Sequence, residues 1–195
     1  MNYISVNDFV GEINLDLSND SNVIANFSAI ATQVETDILR DLLNDKLYSD
    51  LIDNTTSGSP TDSAFIDLVN GTTYTNLIGK TIVYEGLKRM IRYFVYDAYL
   101  DIIYSQNTGI GQMQSQNENS TPLTRGALRK VRARIQNKAV GLYKAAAIFI
   151  NDNYTDYFSA TDYAFWRPAP KKYLGKITSQ TYSNNYFYNK SSTEN

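Results

Sequence analysis

Apolar residues return at three- and four-residue steps through most of this chain, the period of helices that bury one face. Ser5-Val6-Asn7-Asp8 has the form of a capping box and predicts a short helix through about Gly11. Asp20 or Ser21 then caps a longer helix on which Phe27, Ile30, Val34, Ile38 and Leu42 form one stripe. Leu43, Leu47 and Leu51 continue the stripe at a shifted angle, which predicts a break near Asn44. Residues 54–60 are turn formers and predict a loop. Thr61 or Asp62 caps a short helix with Phe65, Ile66 and Val69 inward, and Gly71 stops it. A central helix is expected over about 75–104, with Val83, Leu87, Met90, Phe94, Ala98 and Ile102 as its main stripe. Ile91, Val95, Tyr99 and Ile103 widen that stripe, so the helix should be packed on several sides.

Residues 105–124 break the pattern. Glu118 is their only charge, the rest being rich in Gln, Asn, Ser, Thr and Gly, which predicts a long loop or hairpin tongue. Arg125 to Phe149 restores it, with Leu128, Val131, Ile135, Ala139, Leu142, Ala146 and Phe149 on one tight stripe. From Asn151 the character changes, and residues 153–195 are crowded with Tyr and lose the helical period. Pro168 and Pro170 enforce extended backbone there. The expected architecture is mainly α. A helical bundle spans 1–157 and carries a polar loop or β-hairpin tongue, and an extended Tyr-rich arm covers 158–195.

Composition narrows the chemistry. At 195 residues the chain can build one substantial core. It contains no Cys and no His, which excludes thiol nucleophiles, Ser-His-Asp catalysis and ordinary zinc sites. No apolar run reaches the roughly 20 residues of a membrane span. The start has no signal-peptide pattern, so a soluble, intracellular chain is expected. Gly109-Ile-Gly111 lacks the third glycine of a dinucleotide fingerprint. Asp152, Asn153 and Asp156 lack the closing Glu of a calcium loop and suggest a surface turn. Asp41 with Asp45 and Asp97 with Asp101 stand one helical turn apart, a spacing ordinary on an amphipathic helix. No catalytic residue, cofactor or metal ligand is assigned, and no enzyme is expected.

Charge is sorted along the chain. Residues 1–70 hold twelve acids and two bases, and residues 71–195 hold sixteen bases and eight acids, so a net −2 hides poles of −10 and +8. Such poles can pair inside one monomer or between identical copies, as a heterologous contact that closes a ring or grows a filament. The helix beginning at Arg125 bears Arg129, Lys130, Arg132, Arg134, Lys138 and Lys144 and no acid before Asp152. Arg125, Arg129, Lys130, Arg132, Arg134 and Lys138 are the candidate subunit interface or DNA-channel lining. The arm supplies Tyr163, Phe165, Trp166, Arg167, Tyr173, Tyr186, Phe187 and Tyr188 as candidate anchors, the residue types favoured at interface centres. They need a surface to bury against, on this subunit or a neighbour.

Two sets of motifs carry a family likeness. One is Gly71-Thr-Thr-Tyr74 with Tyr84-Glu-Gly86-Leu87-Lys88 and the aromatic run Tyr93 to Tyr99. The other is Thr108-Gly-Ile-Gly-Gln-Met113, Asn117-Glu-Asn-Ser120, the basic helix, and Tyr143 through Phe149 to Asn151-Asp-Asn153-Tyr. Together, over about residues 60–158, they resemble the head-to-tail connector (adaptor, or neck) proteins of tailed bacteriophages. The likeness is greatest to the ring proteins beneath the portal in crAss-like phages. The resemblance implies a helical bundle with a projecting loop, assembled as a twelve-copy homo-oligomeric ring. It implies a virion location between portal and tail after synthesis in the host cytoplasm. The implied partners are identical copies, the portal, further neck or tail proteins, and passing double-stranded DNA bound without sequence specificity; no membrane is implied. The alternative is a non-enzymatic nucleic-acid-binding accessory protein that uses the basic helix over 125–144.

Overall fold

The computed structural model describes residues 3–9, 13, 21–104, 106–108, 111–113, 125–159, 162 and 166. It is mostly helical, with three separate two-stranded antiparallel sheets. Helix α1 spans Ser21–Asp53 and bends at Asn44, whose backbone (φ 61°, ψ 170°) leaves the helical region. The expected break therefore falls where the apolar stripe changes angle. Strands β1 (Thr55–Thr56) and β2 (Ser59–Pro60) make a minimal hairpin through Ser57 and Gly58, both at positive φ. Helix α2 (Ser63–Asn70) is capped by Asp62, whose side chain accepts the Ala64 N–H at 2.9 Å.

The expected helix over 75–104 is corrected in its first part. Thr72–Thr75 (β3) and Thr81–Tyr84 (β4) form a hairpin, and helix α3 runs only from Gly86 to Tyr104. The sequence signal was there: Thr-Thr-Tyr-Thr and Thr-Ile-Val-Tyr alternate β-branched and aromatic residues around the Asn76–Gly79 turn. A helical stripe that includes Val83 misassigns a residue that stands exposed on the outer face of β4. Two smaller corrections follow from helix angles. Ile66 faces solvent, because α2 buries Phe65, Leu68 and Val69 instead. Val131 is exposed, and among the described side chains of the last helix the buried ones begin at Ile135.

Strands β5 (Gln106–Thr108) and β6 (Gly111–Met113) pair within the polar stretch, as a hairpin. The rest of that tongue, at 105, 109–110 and 114–124, lies outside the described residues. Helix α4 spans Arg125–Asp152 and a 3-10 turn follows at Tyr154–Asp156. At the other end, the first helix is a single 3-10 turn, Val6–Asp8, where the Asp8 carboxylate accepts the Ser5 N–H at 2.7 Å.

Helix α3 sits centrally and packs on α1, α2 and α4. Leu87, Met90, Ile91 and Val95 are fully buried on it, which explains why its apolar stripe is so wide. An aromatic chain links the N-terminal segment to this core: Phe9 meets Phe27 edge-on at 5.2 Å, and Phe27 meets Tyr99 at 5.3 Å. Phe149 on α4 anchors the β3–β4 hairpin, stacking on Tyr84 at 4.1 Å and receiving Tyr74 edge-on at 5.0 Å. No described helix is long and apolar enough to cross a membrane.

Candidate functional site

The candidate bases of α4 divide into two kinds. Arg132 and Lys138 are neutralised inside the chain. Arg132 Nε donates to Asp97 Oδ1 on α3 at 3.0 Å, and Gln136 Nε2 holds the other Asp97 oxygen at 2.9 Å. Their side chains are only 27% and 18% exposed, so this is a seam contact rather than a surface one. Lys138 Nζ lies 3.6 Å from Glu85, which also pairs with Arg89 one turn along α3. Both acid partners, Glu85 and Asp97, come from outside the acidic first third. Arg129, Lys130 and Arg134 stand exposed. The Arg125 side chain lies outside the described residues.

The far end of α4 carries the opposite sign. Asp152, in its last turn, accepts the Tyr74 hydroxyl at 3.1 Å. Burial, then the Asp152 charge, pushes that hydroxyl up to about 12. Just beyond, buried Tyr157 donates to the Ala64 carbonyl at 2.9 Å. Its hydroxyl titrates well above the usual range, first through burial and then through the charges of Asp156, Asp67 and Asp62. Those three carboxylates are exposed and close enough to act on one group. At 1.5 Å per residue, Arg129 and Lys130 stand about 34 Å along α4 from Asp152 and Arg134 about 27 Å, while exposed Lys144 lies about 12 Å from it.

This arrangement runs against helix stability. Backbone dipoles place positive partial charge at a helix N-terminus and negative at its C-terminus. Asp152 sits in the last turn, at the end of like sign, where the expected cost is about 0.3–1 kcal/mol at low salt, while Arg129 and Lys130 stand past the first turn, where the dipole acts little. The charges of this helix do not offset its dipole. What they can do is attract an oppositely charged surface at each end.

Of the arm residues, the structure places Trp166. Its indole is 4% exposed, donates Nε1–H to the Leu42 carbonyl at 3.2 Å, and packs on Phe158 with ring centres 5.7 Å apart. It anchors to the same subunit. Tyr163, Phe165, Arg167, Tyr173, Tyr186, Phe187 and Tyr188 lie outside the described residues.

Sequence reasoning missed Glu35. Its side chain is 2% exposed inside α1 and accepts the Tyr3 N–H at 2.9 Å. Burial drives its carboxyl up to about 7, against the pull of the Tyr3 and Ile4 N–H groups and the Lys88 charge. Tyr3 is pinned again by a 2.6 Å hydrogen bond between its hydroxyl and Thr55 Oγ1. Glu35 thus ties the N-terminal segment down. The one hint in sequence was its place beside Val34, next to the apolar stripe of α1. Among the described residues, no three Asp or Glu side chains gather as a metal-holding group.

No curated protein and no solved structure matches the chain. Residues 39–165, which take in everything from mid-α1 to the approach of Trp166, match a family described only as a family of unknown function, DUF6712. The chain belongs to that family.

Proposed function

We propose that this protein is a structural component of a tailed-phage particle that joins identical copies head to tail into a ring between portal and tail, continuing the DNA channel. The observation that carries the reading is the sign of the two ends of α4. Exposed Arg129 and Lys130 lie toward one end, with Arg134 a third of the way along, and Asp152, Asp156, Asp62 and Asp67 lie at the other. Complementary ends on one rigid rod give a heterologous contact, and a closed set of such contacts is a ring. Electrostatic complementarity sets register and partner choice, while buried apolar area supplies affinity. The chain's lack of His and Cys fits a role without catalysis.

The test is the mass of the purified protein by light scattering across salt concentrations, with electron micrographs of the same sample. Oligomers that weaken as salt rises, and annular particles, support the reading. A monomer at every concentration, together with native particles that contain no annulus of this chain, overturns it.

A second reading, a nucleic-acid-binding accessory protein, draws on the same three exposed bases. It requires tight binding to duplex DNA with a log–log salt slope near −0.9 per phosphate neutralised. A flat salt response excludes it.

A further inference from the structure

The β3–β4 hairpin buries one face and leaves the other bare. Tyr74 and Tyr84 lie on Phe149, while Val83 is 73% exposed on the opposite face and Leu77 and Ile78, at the tip, are 53% and 74% exposed. The tip is held in shape. Asn76 Oδ1 accepts the Lys80 N–H at 2.8 Å and the Ile78 N–H at 3.2 Å, and the Asn76 N–H donates to the Lys80 carbonyl at 2.9 Å. A rigid loop that shows aliphatic side chains to water forgoes their burial, yet it docks with little further loss of entropy. Lys80 is the only charge between Gly71 and Tyr84.

A complementary surface exists on the same chain. Ile66 is exposed on α2, between Asp62 one turn before and Asp67 beside it. Ile52 is exposed at the end of α1 next to Asp53, and the hydrogen bonds from Thr61 to the Asn54 carbonyl (2.8 Å from N, 3.0 Å from Oγ1) hold that end against the start of α2. Ile66 thus stands exposed between two acids on α2, and the tip is aliphatic with one base. We infer that the tip of the β3–β4 hairpin docks on the acid-rimmed Ile66 face of a second copy of this chain, with Lys80 facing Asp62 and Asp67. The inference rests on the ring reading only in that copies of this chain associate, and it pairs Asp62 and Asp67 with Lys80 instead of with the bases of α4. A lipid surface suits the tip less well, because one Lys and no Trp make a poor interfacial anchor.

The absence of Cys makes the test clean. A chain carrying both Ile78→Cys and Ile66→Cys, oxidised at low salt, should give a ladder of covalent oligomers, because each copy has one donor and one acceptor site. An equimolar mixture of the two single variants should give a mixed dimer. Ile78→Asp should weaken self-association at least ~10-fold with an unchanged circular dichroism spectrum, ΔΔG above about 1.4 kcal/mol. Lys80→Glu should weaken it too, with recovery on adding Asp62→Lys and Asp67→Lys. If oligomers persist in Ile78→Asp and no ladder forms, this docking is wrong while the ring reading stands. Rings that form with Ile78→Asp but fail to join other neck proteins also overturn it, since the tip then serves a different protein. A wild-type chain that stays monomeric defeats both.

Discussion

Arg132 and Asp97 hold each other across the seam between α3 and α4, with Nε 3.0 Å from Oδ1 and Gln136 closing the other oxygen. A base that looks like part of a solvent-facing row is therefore a fold contact. Removing one partner leaves a half-buried charge uncompensated, which costs more than the pair contributes. Arg132→Glu should destabilise the protein by about 2–4 kcal/mol. Urea midpoints should show this, with smaller losses for Asp97→Asn.

The three exposed bases should behave differently. Reversing Arg129, Lys130 and Arg134 to Glu should leave the urea midpoint within about 0.5 kcal/mol per site. The same variant should lose the salt-sensitive part of self-association in light scattering. A triple reversal that includes Arg132 would confuse unfolding with failed assembly.

Gly71 and Gly86 back onto each other where the β3–β4 hairpin closes, at φ +90° and +82°. A Cβ on Gly71 would lie 2.5 Å from the Tyr84 carbonyl oxygen, and one on Gly86 would lie 2.5 Å from the Asn70 carbonyl carbon. These obstacles are backbone and cannot swing aside. Either Gly→Ala change should cost about 2–4 kcal/mol through strain and a widened hairpin base. Thermal unfolding measures it, and the same change at Gly79, whose Cβ would meet nothing within 4 Å, should cost less.

Glu35 should give the fold a pH dependence. An unfolded carboxyl titrates near 4.5 and the folded one near 7, so the native state binds the extra proton between these values. Stability is then greatest at the acidic side of that window and falls as pH rises through it. The size is of order 2–3 kcal/mol, taken from the buried carboxyl's shift. Unfolding midpoints measured from pH 5 to 8 should decline in the wild type and flatten in Glu35→Gln.

Trp166 is the only tryptophan and reports its own burial. The full chain should show a blue-shifted emission that moves to the red on unfolding. A chain cut after residue 159 should lose about 3–5 kcal/mol, as should Trp166→Ala. Trp166→Phe, which loses mainly the bond to the Leu42 carbonyl, should cost about 1 kcal/mol.

The helices were legible in sequence wherever a long amphipathic period ran without interruption, as in α4, and the kink at Asn44 was legible as a phase change in Leu43, Leu47 and Leu51. The β3–β4 hairpin was lost because its Ile82, Val83 and Tyr84 abut Leu87 and Met90 and continue a helical count by accident; Gly86 marks the true boundary. What sequence alone determined is the mainly helical class, the absence of Cys and His with the chemistry they carry, and the two poles of charge, because composition and period are local properties. Which bases face solvent, which acid ties down the N-terminal segment, and where Trp166 ends up were decided only by tertiary packing. Each depends on what lies opposite a side chain, and Asp97, Tyr3 and Leu42 are far from their partners along the chain.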